Sequence, residues 1–335
     1  MMEHLSLLDS KVRITMDEIT TDFLNKIGRT EDIRFSPDNK KLAIAGYHEN
    51  SILILDIDVL DTNEMQEVKI IKCVKIISKQ INGPHGVEFK DNDYIIVANR
   101  NARLLLFDIR DLPSISTLVE LRPLKEIKYA SPFRRLNSPG SLCTLNSKED
   151  EVDVLVCNNY SHKISRHIIP LKSRFKFVKN SIFLEKGLNI PDGIAINKTK
   201  NRLAISDHNT NRVLIFNLLK DKTSKTESIG ELKEVGCPHG VRFSDDGKNV
   251  IVADAGAPYI YIYHSKDGDW SGTTYPSKQL LCMKDEDFLK WRNNPQEGGP
   301  KGLDISTNGC LLAMSTHAAP LDFFNVKNII LPHQN

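Results

Sequence analysis

Residues 191–218 read PDGIAINKTKNRLAISDHNTNRVLIFNL. They run from Pro191-Asp192-Gly193 through an alternating apolar run, a polar turn, a β-branched run closing on Asp207 and a second alternating run. Alternation of period two between turn residues is the pattern of strands joined by tight hairpins. The phrase returns along the chain. Pro84-His85-Gly86, Pro238-His239-Gly240 and Pro300-Lys301-Gly302 each precede an apolar run, and Ser138-Pro139-Gly140 and Thr30-Glu31-Asp32 are weaker copies. The middle residues fall at 31, 85, 139, 192, 239 and 301, at intervals of 54, 54, 53, 47 and 62. A second landmark, Gly46, Asn99, Asn158, Asp207, Asp254 or Ser315, follows each after 14 to 19 residues. Third runs such as SILILDI, RLLLFDI and YIYIYHS come next, and VKIISKQI and FKFVKNSIFL offer fourth strands. Six units of four strands, each of about fifty residues, predict an all-β fold, a six-bladed β-propeller with four-stranded blades.

The repeats occupy residues 30–335 and leave residues 1–29 as an N-terminal extension. Within it KVRIT (11–15) is a candidate closing strand, and residues 16–28 read as a short helix or an extended cover. The tail KNIILPHQN offers a rival closing strand in IIL. The insertion 282–299 carries DEDFLKW, one or two helical turns stopped by Gly298-Gly299-Pro300.

A net charge of +2 is too mild to imply nucleic acid or a membrane surface. No apolar stretch approaches the roughly 18 residues of a membrane helix, and the first residues lack a signal-peptide pattern, so the expected location is cytoplasmic. The six cysteines sit in or beside apolar strands without a CxxC pair, as small buried hydrophobes of a reducing compartment.

In a propeller the innermost strand of each blade starts on the face where the second strand ends, so both landmarks surround one mouth of the central channel. In blade order the ring reads Glu31, His85, Pro139, Asp192, His239 and Lys301, with His85 opposite His239 and Glu31 opposite Asp192. Two imidazoles and two carboxylates on one axis suit a divalent metal ion such as zinc, manganese, iron or calcium. Asn99, Asn158, Asp207 and Asp254 stand around that ring, as second-tier or substrate contacts. The competing reading is a cluster of local caps and salt bridges, with Lys301 paired to Glu31 or Asp192. Lys301, His48, His208 and His317 are candidates to move a proton. Arg100, Arg134 and Arg135 offer charge for an anionic group, and Tyr47, Tyr129, Phe133 and Tyr160 offer stacking surface.

The stretch 191–218 resembles the NHL repeat, down to Asp207 and Asn211-Arg212-Val213. The whole series is similar to the NHL and gluconolactonase (senescence-marker protein) group of six-bladed propellers. The gluconolactonase branch implies a channel metal on a Glu, an Asn and the Asp of a PDG motif; Glu31 and Asp192 match, and the Asn has no counterpart. The two PHG histidines are similar to those of peptidyl-hydroxyglycine amidating lyases, where they imply a channel zinc. The resemblance therefore implies a metal-dependent hydrolase or lyase with a small polar or anionic substrate. The other expectation it carries is a non-catalytic platform for a protein partner or, with less support from the charge, RNA.

Overall fold

Register within each blade accounts for the spacing of the landmarks. The computed structural model describes residues 3–61, 66–171, 177–218 and 223–330. In it Pro191–Ile196, Arg202–Asp207, Arg212–Asn217 and Gly230–Leu232 form the antiparallel fourth blade. Pro191 lies opposite Asp207, which brings the tripeptide and the second landmark to one end of the sheet. Thr30 opposite Gly46, Pro84 opposite Asn99, Pro139 opposite Asn158 and Pro238 opposite Asp254 repeat that register. This pairing corrects one ring position. Pro139 aligns with the leading prolines of the other tripeptides, so the middle residue of blade three is Gly140 and not Pro139.

The tripeptide's glycine serves close approach between blades. A Cβ on Gly193 would stand 1.9 Å from the carbonyl oxygen of His239, and one on Gly86 would stand 2.4 Å from that of Gly140. Only glycine lets neighbouring inner strands pack this tightly around the axis.

Six apolar clusters fill the six seams between blades. The last of them joins Ile33 and Leu53 of blade one to Leu311 and Phe323 of blade six, so the ring is closed. A closed propeller leaves only outer edges to protect. Three are covered by parallel strands: Thr117–Glu120 on blade one, Gly272–Thr274 on blade four and Glu3–Ser6 on blade five.

Blade six departs from the four-stranded expectation. Among the described residues it has three strands, Leu303–Ile305, Leu311–Met314 and Asp322–Asn325. Among the described residues the tail adds no strand, because Lys327–Ile330 coils into a short helix; residues 331–335 lie outside the described residues. Instead Lys11 bridges Phe324, and the Val12 N–H donates to the Phe323 carbonyl at 2.8 Å. The chain then crosses the seam, and Arg13–Thr15 runs parallel to Gln66–Ile77 of blade one. KVRIT thus straddles the closure.

The extension continues as a helix, Glu18–Lys26, capped by Asp17, whose carboxylate accepts the Thr20 N–H at 2.6 Å. The insertion before blade six holds the helix Asp285–Trp291. Residues 175 and 176 of the FKFVKNSIFL run lie outside the described residues; the rest supplies the strand Lys179–Leu184. All six cysteines are free thiols, and Cys143 faces Leu155 in register, not Cys157. Among the described residues no helix is long and apolar enough to cross a membrane.

Candidate functional site

Since every inner strand starts at the same mouth, its second residue points at the axis, and six blades bring six such positions together. Glu31, His85, Asp192 and His239 converge there, each at most 6% exposed. His85 Nε2 lies 3.4 Å from Glu31 Oε2 and 3.7 Å from Asp192 Oδ1. His239 Nε2 lies 3.4 Å from Glu31 Oε2 and 3.4 Å from Asp192 Oδ2. The two imidazoles face one another with ring centres 5.3 Å apart. The tightest trio is Glu31, His85 and His239, whose ligand atoms all lie within 4.8 Å of one another.

Fixed cations surround this ring. Arg29 binds Glu31, Lys301 Nζ stands 3.2 Å from both Glu31 oxygens, and Arg100 Nη2 stands 2.7 Å from His85 Nε2 and 3.4 Å from Asp192 Oδ1. A guanidinium can only donate, so His85 Nε2 accepts and its proton belongs on Nδ1, which is buried without a partner. Glu31 Oε2 is buried with no well-directed hydrogen bond, its nearest cation being Lys301 Nζ at 3.2 Å. Glu31 Oε2 lies 3.4 Å from the Nε2 atom of each imidazole, and these atoms, not the protonated Nδ1 of His85, are the ligand atoms on offer.

Burial alone would favour the neutral form of every group here. For Glu31 it is overcome by Lys301, the two imidazoles and Arg29, which hold the carboxyl well below the ordinary range. Asp192 is pulled down in the same way against burial, by His239, His85 and Arg100. His85 goes the other way: burial and Arg100 outweigh the two carboxylates and keep it neutral. The mouth therefore holds two ionised carboxylates beside a neutral imidazole whose Nε2 lone pair faces Arg100.

Above the ring opens a cavity of about 470 Å³, lined by Arg29, Arg100, Asn159, Tyr160, His208 and the strap 294–297 together with His85, Asp192, His239 and Lys301 of the ring, while Glu31 lies behind its wall. Arg29, Arg100 and Lys301 are balanced by Glu31, Asp192 and Glu297, so three fixed cations meet three carboxylates.

The expected residues divide. Arg100, Tyr160, His208 and Lys301 line the cavity with the ring. Asn99, Asn158, Asp207 and Asp254 do not; each turns into its blade and accepts backbone N–H groups of the incoming loop, from Asn82, Asn137, Asn189 and Gly236 with Cys237 respectively. Their recurrence is the recurrence of a cap. Arg134 and Arg135 lie exposed on a two-stranded ribbon, Tyr129–Ser131 with Arg134–Arg135, away from the cavity wall. Tyr47 packs under the Arg29 guanidinium at 4.9 Å, His48 is exposed beside Gly28, and His317 stacks edge-on against Trp291 at 5.9 Å.

Three contributors escape a reading by repeats. Asn159 follows the landmark of blade three and donates to Asp192 Oδ1 at 2.7 Å, filling the space that Gly140 leaves empty. Arg29 precedes the first weak tripeptide. Glu297 reaches in from the insertion to Arg29 at 2.9 Å and Lys301 at 3.6 Å. Only their nearness in sequence to ring positions marks them.

No family model matches the chain, and no curated protein does. Among solved structures it is similar to a chain of a crystal structure of the mitotic checkpoint complex, with a TM-score of 0.54 and 10% identity over 90% of this chain and 76% of that one. A likeness at that identity speaks for the propeller fold alone.

Proposed function

We propose that the channel mouth is a metal-assisted catalytic site, hydrolase or lyase, for a small polar or anionic molecule, in the manner of the gluconolactonase-like propellers. The observation that carries this reading is the buried trio Glu31, His85 and His239, with its ligand atoms within 4.8 Å of one another and Glu31 Oε2 3.4 Å from the Nε2 atom of each imidazole. Two imidazoles and a carboxylate, with Asp192 facing both imidazoles, are a donor set for a divalent ion. Such an ion supplies Lewis acidity toward a carbonyl or a water. Because the fixed charges already cancel, a bound dication leaves the mouth positive and selects an anionic partner. Arg100 would hold the negative group, and His208 on the wall, kept neutral by burial, would accept a proton.

Elemental analysis of protein purified without chelator tests this, beside His85→Ala and His239→Ala. Stoichiometric metal lost in both variants is the expected result. A folded, metal-free wild type indifferent to chelator would transfer the case to the second reading, a protein-binding platform. That reading is favoured by Phe133 at the tip of the ribbon, 96% exposed, and by Tyr160, 65% exposed. The structural neighbour's membership of a multiprotein complex agrees with it.

A further inference from the structure

Two of the three cations at the mouth, Arg29 and Lys301, share two unequal partners. Glu31, fully buried on an inner strand, binds both Arg29 and Lys301 from below. Glu297 binds the same two from above, with one oxygen 2.9 Å from Arg29 Nη1 and 3.6 Å from Lys301 Nζ. Glu31 cannot leave without breaking a blade. Glu297 can.

Residues 291–296 are all exposed, and Glu297 alone of that segment is drawn inward. The backbone bonds of the strap are local, Asn293 N–H to the Trp291 carbonyl and Glu297 N–H to that of Asn294. Its two ends are different. Upstream the helix Asp285–Trp291 is pinned by buried Phe288, and downstream the Gly299 N–H donates to the Ala255 carbonyl at 2.9 Å. Between Glu297 and that anchor, Gly298 sits at φ +114°, a conformation only glycine takes easily and a ready pivot. Apart from the Pro295 carbonyl, which packs against Gly256, the strap is tied to the mouth by the Glu297 carboxylate.

We propose that Glu297 stands in for the carboxylate of the ligand: small monocarboxylates bind by displacing it from Arg29 and Lys301, and the strap 292–297 swings free. This rests on reading the mouth as a small-molecule site, and it names the ligand class and the gate. A monocarboxylate restores the charge balance that Glu297 leaves, and the cavity of about 470 Å³ has room for its remainder above the imidazoles. Uncharged isosteres gain nothing from the two cations and leave the strap in place.

The test uses full-length protein at constant ionic strength, with lactate as probe and lactamide as its uncharged isostere. Amide hydrogen exchange of residues 292–297 is followed in the wild type, Glu297→Gln and Arg29→Gln. Lactate, and not lactamide, is expected to speed exchange of the strap in the wild type. In Glu297→Gln the strap exchanges fast from the start and lactate binds about tenfold tighter, since no internal anion competes. Arg29→Gln is expected to lose lactate binding. Equal lactate affinity in the wild type and Glu297→Gln, or a strap indifferent to lactate, would overturn the proposal. Metal analysis on the same samples separates the two readings. Metal-free protein that still shows the lactate effect sinks the metal and keeps the gate, whereas metal-loaded protein blind to lactate does the reverse.

Discussion

Asp254 shows how a repeated polar residue can earn its place without touching a ligand. It is 1% exposed, and its carboxylate accepts the N–H groups of Gly236 and Cys237 at 2.8 Å each and of Gly256 at 3.0 Å. Asp254→Ala removes the shared acceptor of three N–H groups in a partly buried loop, so a loss of about 1–3 kcal/mol is expected in denaturant unfolding. Metal content per folded molecule should stay unchanged, because the residue does not reach the ring; a loss of metal with stability intact would return it to the site. Sequence alone could not make this distinction. Asn99, Asn158, Asp207 and Asp254 recur at the same spacing as His85 and His239, and spacing locates a position on a blade without saying which way the side chain turns. The ring residues follow the first residue of an inner strand, whereas these four close a second strand beside a loop full of unpaired N–H groups.

At the scale of elements, periodicity made the first three strands of blades one to five legible, but it missed fourth strands such as Lys125–Ile127 and Gly230–Leu232, where local pairing replaces repetition. Blade three's one-residue offset hid behind Ser138-Pro139-Gly140, since a proline and a glycine both seemed in place; only pairing of Pro139 with Asn158 separates the alternatives. The closure of blade six was legible only as a choice between KVRIT and IIL, for a different reason. A bridge at Lys11 and one backbone bond from Val12 leave no run long enough to alternate. Yet this short segment inserts Leu7, fully buried, into the seam between blades five and six, and Val12 into that between six and one. Leu7→Ala is expected to cost about 2–4 kcal/mol. Removing residues 1–15 should cost more and should expose the edge of Asp322–Asn325 to pairing between molecules. Size-exclusion chromatography would then show concentration-dependent association; a monomeric, equally stable truncation would mean that the ring closes without the extension.

Across the whole molecule the channel carries two charge systems with opposite habits. At the mouth, cations outnumber what burial can resist, and Glu31 and Asp192 stay ionised. Deeper along the inner strands, Arg34 and Arg242 face Asp32, Glu88 and Asp304, two cations against three acids. There burial wins over Arg34, and the acids are pushed up, Asp32 and Asp304 to about 6 and Glu88 to about 7. Glu88 accepts from Arg34 Nε at 3.2 Å and keeps 20% of its side chain exposed. The sign of its effect follows from linkage. A carboxyl that holds its proton more tightly in the fold than in the unfolded chain stabilises below the ordinary value of 4.5, and that stability is lost as pH rises through about 7. Glu88→Gln mimics the protonated form and keeps an oxygen for Arg34. The variant should match the wild type near pH 5 and exceed it above pH 8 by about 1–2 kcal/mol, after allowance for partial solvent screening. The buried histidines titrate in both proteins and cancel in the difference. Chemical denaturation across that range decides the matter: parallel curves for the two proteins would mean that Glu88 is ionised throughout, and that the depth of the channel is as well balanced as its mouth.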